Sequence, residues 1–182
     1  MRWWIILLAA LPAAAQSVPC GCDHENPSTL ESRDCSLCKE AHQQTSPPGD
    51  PLPVFFLKDN NPRKPNRTLA LPVRHGKGQQ DLRDLTPEER VRFWKAAMAK
   101  AEELWPGNWG LAVNSMTVRT QCHLHIHIGK LNEGVDEATA RTVRGPEEFP
   151  VPEPGLGIWV HGAQGGYHVH VDREIAEPVL LR

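Results

Sequence analysis

The chain reads as an α+β protein in which a mainly antiparallel sheet is covered by one principal helix. Three observations predict this: one helix with complete start and stop signals, several short apolar or alternating runs bounded by turn residues, and more strand-like than helical segments. At 182 residues the length suits one domain with an N-terminal appendage. The expected division is a signal segment over 1–15, a cysteine-containing arm over 16–52 and a folded domain over 53–182.

Arg2 precedes an apolar stretch from Trp3 to Ala15 that ends in three alanines. Small residues at that place suit a signal peptidase, whereas the run is short for a membrane span and is interrupted by Pro12. An uncleaved anchor is the alternative. The arm that follows is polar and rich in Pro, Ser and Asp, with a short helix expected over 28–42.

Pro53 to Lys58 and Thr68 to Val73 read as two strands, joined through the turn residues Asp59-Asn-Asn-Pro62 and Lys64-Pro-Asn66. The helix begins at Thr86-Pro-Glu-Glu89. Thr suits the N-cap, Pro the first helical position and Glu at the third closes a capping box. Val91, Trp94, Met98, Ala101 and Trp105 then recur at helical spacing until Pro106-Gly107 stops the helix. Trp109 to Val113 and Val118 to Lys130 read as strands. After a Glu- and Pro-rich connection, Leu156 to His161 and Tyr167 to Val171 flank Gly162-Ala-Gln-Gly-Gly166, a hairpin signal.

The formal net charge is −2, and a polyanion selects for a basic surface. Nucleic acid is therefore set aside as a partner. The five cysteines are Cys20, Cys22, Cys35, Cys38 and Cys122. In an exported chain such cysteines form disulfides, and the odd number leaves one thiol. Cys122, opposite the histidines that follow it, is expected to be that buried thiol.

The segment Gln121-Cys-His-Leu-His-Ile-His-Ile128 carries the chemistry. In a strand its side chains alternate, so His123, His125 and His127 share one face while Leu124, Ile126 and Ile128 face a core. Successive rings would stand roughly 6.7 Å apart, a spacing that suits successive phosphate oxygens. A neutral imidazole, with an unperturbed pKa of about 6.5, attacks phosphorus without an added base, and its neighbours can donate to the phosphoryl oxygens. His125, with a donor on either side, is the expected nucleophile. A metal site on the same face is the competing reading. His168 and His170 repeat the spacing in the last strand, and His161 alone reads as an ordinary strand histidine.

Ala112 to Ile128, through Asn114, Ser115, Thr117, Arg119, Thr120, Gln121 and the three histidines, resembles the signature of bacterial CDP-diacylglycerol diphosphatases, membrane-associated relatives of the histidine-triad superfamily. Val54 to Val73 is similar to the first hairpin of those proteins. The resemblance implies a HIT-like fold and cleavage of the pyrophosphate of CDP-diacylglycerol to CMP and phosphatidate. Attack would come from His125, with His123 and His127 on the phosphates. Asn114, Arg119, Thr120 and Gln121 would contact substrate, Arg119 as the bidentate cation.

The chemistry so implied requires no cofactor. Some histidine-triad relatives carry a CxxC that binds a structural zinc, and the matching set here is Cys35, Cys38, His75 and His123. Disulfides to Cys20 and Cys22 are the alternative for the two cysteines. Two departures from the family pattern stand out. The segment after the histidines is short, and Gln121 lies two residues before the first histidine where many histidine-triad proteins place glutamine four before it.

The expectation is an exported enzyme, periplasmic or secreted and associated with a membrane surface that holds its lipid-nucleotide substrate. A hydrolase or transferase of soluble nucleotides and a secreted metal-binding protein without turnover are the alternatives. The oligomeric state is not readable from the chain.

Overall fold

The computed structural model describes residues 20–182 except 75, 79, 136 and 137, so the expected signal segment and His75 lie outside the described residues. The fold is α+β. Among the described residues seven strands form one sheet: β1 (Val54–Lys58), β2 (Thr68–Pro72), β3 (Trp109–Val113), β4 (Ile126–Lys130), β5 (Arg141–Val143), β6 (Ile158–Ala163) and β7 (Gly166–His170). Their order is β1-β2-β4-β3-β6-β7-β5, with every neighbouring pair antiparallel. Helix α1 (Ser36–His42) belongs to the arm and α2 (Pro87–Leu104) covers the sheet.

Helix α2 starts as its capping residues dictate. The Thr86 side chain accepts from the Glu89 backbone N–H, and the Glu89 carboxylate accepts from that of Thr86. Its buried stripe is centred on Phe93, Trp94, Ala97 and Ala101, with Met98 and Trp105 at the margin. The expected stripe is thus rotated slightly, because Phe93 and Ala97 complete the face that meets Leu111, Ile126, Ile128, Ile158 and Val160.

The opposite face of the sheet is different. Ala112 and Trp159 meet Ala176, Val179 and Leu180 of the C-terminal segment there. Gly110 and Gly129 are register partners on β3 and β4, and a Cβ at Gly110 would lie 2.5 Å from Leu180 Cδ2. The missing side chains make the groove in which the segment lies. Arg67, nearly fully buried, fastens it by donating to the Leu180 and Leu181 carbonyls at 2.6 and 2.7 Å.

Three expectations are corrected. The strand expected from Val118 begins only at Ile126, since Ser115 turns the chain: its carbonyl accepts from Val118 and Arg119, and its hydroxyl from the Thr117 N–H. The connection after Asn132 contributes β5, which pairs with β7. The arm has a core of its own, in which Leu30 is buried with the cysteines. Within it, the helix expected over 28–42 divides into two 3₁₀ turns, Pro27–Glu31 and Arg33–Cys35, before α1.

Candidate active site

The histidine segment keeps its alternation although only part of it is strand. Leu124, Ile126 and Ile128 enter the core beneath α2, while His125 and His127 line a cavity of about 530 Å³ on the other face. Their rings meet edge to face at 4.8 Å between centres, closer than an ideal strand places them. His127 lies between Leu69 of β2 and Ala112 of β3 in register, and the small alanine leaves room for its ring.

The three histidines have separate tasks. His125 Nδ1 donates to the His123 carbonyl at 2.8 Å, which leaves Nε2 with the lone pair. His127 Nε2 lies 3.1 Å from a carboxylate oxygen of Glu177. His123 is fully buried and does not line the cavity. Its Nε2 donates to the Pro72 carbonyl at 2.8 Å at the end of β2, so this nitrogen is turned to the backbone and not to the cavity. The reason is local: His123 precedes β4, and its ring closes the gap to the neighbouring strand.

Burial, with the charges of His127 and Arg119, holds the His125 pKa well below the ordinary imidazole value. Burial also lowers that of His127, helped by Lys64, Arg67 and Arg119. Both rings are therefore neutral at neutral pH. Arg119 is the notable cation, with its side chain only 1% exposed. Its Nη2 donates to the Gln80 carbonyl and lies 3.7 Å from Asp81, whereas Nε and Nη1 are buried with no hydrogen-bond partner among the described residues. Two unspent donors on a buried cation beside two imidazoles suit an anion.

No family model and no curated protein matches the chain. The chemistry of the site therefore rests on its own residues.

Thr120 lines the cavity and is exposed. Asn114 lines it as well, but its carbonyl oxygen accepts from the Ala176 and Glu177 N–H groups at 2.8 and 3.0 Å. Gln121 holds the arm: its Oε1 accepts from Ser36 Oγ at 2.9 Å and its Nε2 donates to the Arg33 carbonyl at 2.9 Å. Both side chains thus position walls of the cavity through groups expected to meet substrate.

The residues missed in the sequence come from those walls. Asp59, Asn60, Asn61 and Lys64 on the β1–β2 loop read only as turn formers, and Arg33, Ser36 and Leu37 belonged to the arm. Glu177 carried no signal at all. Lys64 Nζ holds its two carboxylate oxygens at 2.6 and 2.7 Å, so the carboxylate bridges Lys64 and His127.

The cysteines pair as Cys20–Cys122 and Cys22–Cys35, leaving Cys38 as the thiol. The expectation for Cys122 is corrected. Its backbone N–H donates to the Asp34 carbonyl at 2.8 Å, which draws the arm over it and within reach of Cys20. Of the four expected zinc ligands, His75 lies outside the described residues. Cys35 is bonded to Cys22, and His123 Nε2 is spent on a backbone carbonyl.

Proposed function

We propose that the chain is a histidine-triad-like hydrolase of a nucleotide-linked pyrophosphate, with CDP-diacylglycerol as preferred substrate and CMP and phosphatidate as products. One observation carries the reading. His125, its Nδ1 proton committed to a carbonyl, shares a cavity with a second neutral imidazole and with a buried arginine that has two unspent donors.

In this reading His125 Nε2 attacks one phosphorus of the pyrophosphate. The N–P bond forms as the bridging P–O bond breaks, and the other phosphate leaves with the bridging oxygen. Water then cleaves the phosphohistidine, returning Nε2 to its neutral form and releasing the second phosphate. Arg119 neutralises charge that grows on the phosphoryl oxygens, and His127 donates through Nε2–H once substrate displaces the Glu177 carboxylate. His123 acts as a positioning residue through its carbonyl. None of these steps is assigned to a metal.

Supporting the lipid-linked substrate are Leu37, Val118 and Ile175 along the cavity, Ile175 being 48% exposed. These are apolar surfaces on which a diacylglycerol can lie. Two disulfides fit an exported protein. Among the described residues no helix is long and apolar enough to cross a membrane.

The test is turnover of CDP-diacylglycerol in mixed micelles and of a soluble dinucleotide, each with chelator and with His125→Ala. The expected result is faster hydrolysis of the lipid substrate, resistant to chelator and reduced on the order of 10⁴-fold or more by the substitution. Preference for the dinucleotide transfers the assignment to soluble nucleotides. Turnover of neither substrate overturns it.

A further inference from the structure

Glu177 reaches the cavity from the C-terminal segment, and its carboxylate is surrounded by donors. Lys64 Nζ lies 2.6 and 2.7 Å from its two oxygens, His127 Nε2 lies 3.1 Å from one of them, and Arg67 Nη1 stands 4.0 Å from that same oxygen. The Arg67 side chain is 1% exposed, and its Nη1 has no hydrogen-bond partner among the described residues. Donors from the β1–β2 loop and from β4 thus converge on one anion that the chain itself supplies.

We propose that Lys64, His127 and Arg67 form a second anion subsite of the cavity, fitted to a phosphoryl group and held at rest by the Glu177 carboxylate as an internal stand-in. The first subsite is the pair of unspent Arg119 donors near His125. Two subsites in one cavity take the two linked phosphates of a pyrophosphate, so the inference deepens the hydrolase reading above and rests on it for the identity of the substrate.

Charge and packing carry the argument. Buried cations without a counter-charge are costly, and the carboxylate satisfies them while no ligand is bound. A phosphoryl group offers the same donors more oxygens and more charge, and charge-assisted hydrogen bonds to it are the stronger ones. Asp59, which also lines the cavity, accepts from the Asn61 N–H of its own loop at 2.9 Å. The exchange requires no movement of the backbone. Asn114 Oδ1 accepts from the Ala176 and Glu177 N–H groups, and Arg67 donates to the Leu180 and Leu181 carbonyls. The main chain of Glu177 is thereby held on both sides, while its side chain, 17% exposed and lining the cavity, turns about its own bonds toward solvent.

An internal competitor also sets specificity. It lowers the apparent affinity for an anion by the fraction of molecules whose subsite is open. A ligand that reaches both subsites displaces it, whereas a single phosphate is satisfied by Arg119 alone.

The probe is inorganic pyrophosphate, with inorganic phosphate beside it, titrated calorimetrically without divalent metal into the full oxidised chain. Glu177→Gln keeps the shape of the side chain and removes its charge, and should bind pyrophosphate about tenfold tighter or more than the native chain. Lys64→Met added to that variant should cancel the gain. Glu88→Gln, which removes the same charge from the exposed start of α2, should leave the affinity as it is, and inorganic phosphate should gain little from Glu177→Gln. Should the variants fail to fold, the His127 Nε2 resonance of the ¹⁵N-labelled native chain decides the matter, and pyrophosphate is expected to shift it. Pyrophosphate binding no tighter in Glu177→Gln, a gain equalled by Glu88→Gln or kept after Lys64→Met, or an unmoved resonance would overturn the subsite. The expected binding pattern without turnover of CDP-diacylglycerol or of a dinucleotide supports the subsite and ends the hydrolase reading.

Discussion

A histidine's chemistry depends on what each of its two nitrogens touches, and three neighbours in this chain illustrate it. His123, His125 and His127 are equivalent in a strand pattern, yet one bonds a carbonyl of β2, one bonds its neighbour's carbonyl, and one meets a carboxylate. The pattern made the site legible; it could not assign the tasks. Burial has a measurable result. Since the pKa values of His125 and His127 are depressed in the fold, the unfolded chain takes up their protons first as pH falls. Stability therefore begins to drop below about pH 6.5 and keeps dropping until the folded values are reached. Each ring contributes up to about 1.4 kcal/mol per pH unit. Urea midpoints measured from pH 7 down to pH 5 test this, and His127→Gln should flatten the slope. A slope unchanged by that substitution would contradict the assignment.

Cys38 is the second residue with a sharp signature. Burial, reinforced by Asp34, pushes its thiol up to about 11, and the thiolate is the reactive form. One thiol per chain should react with a disulfide reagent after denaturation and none in the native protein near pH 8. Native reactivity, or a count other than one, would contradict the pairing of the other four. The cysteine count announced one odd thiol but not its place, because Cys122 meets Cys20 across 102 residues of sequence.

At the scale of elements, α2 follows from local rules and the C-terminal segment from none. The Thr86 cap and the Pro106-Gly107 stop are short-range chemistry, so the helix was legible almost to the residue. Thr86→Ala should cost about 1 kcal/mol, read as a lower Tm with the fold retained. The segment over 172–182 has no comparable signal. It stays where it is through the groove at Gly110 and Gly129 and the carbonyl contacts of Arg67. Gly110→Val should displace it, at a cost of about 1–3 kcal/mol, and expose it to limited proteolysis. An unchanged Tm with an uncut C-terminus would show that the groove does not hold it. The turn at Ser115 likewise escaped the sequence, since hydroxyl-to-backbone bonds there outcompete a strand that the apolar pattern favoured.

For the whole molecule, the decisive feature is that the arm is a wall. Arg33, Ser36 and Leu37 line the cavity, Gln121 bonds the same stretch, and two disulfides tie the arm down. A cross-link closing so long a loop stabilises by up to about 4–5 kcal/mol. Reduction, or Cys20→Ser, should therefore lower Tm by several degrees and, for the proposed hydrolysis, raise KM as the wall loosens, with a smaller effect on kcat. Equal KM values in the two redox states would mean that the arm plays no part in binding.

What the amino-acid order alone determined is local: the α+β class, the capped helix, the first hairpin and a row of imidazoles backed by an apolar face. Each is set by periodicity or by side chains bonding their own backbone within a few residues. Tertiary structure decided the rest. Glu177 comes to His127, Arg33 and Lys64 to the cavity, His161 to His168, and Cys20 to Cys122, through contacts between distant residues. Such contacts depend on strand register and on the space that glycine leaves, and neither is written in the spacing of any single segment.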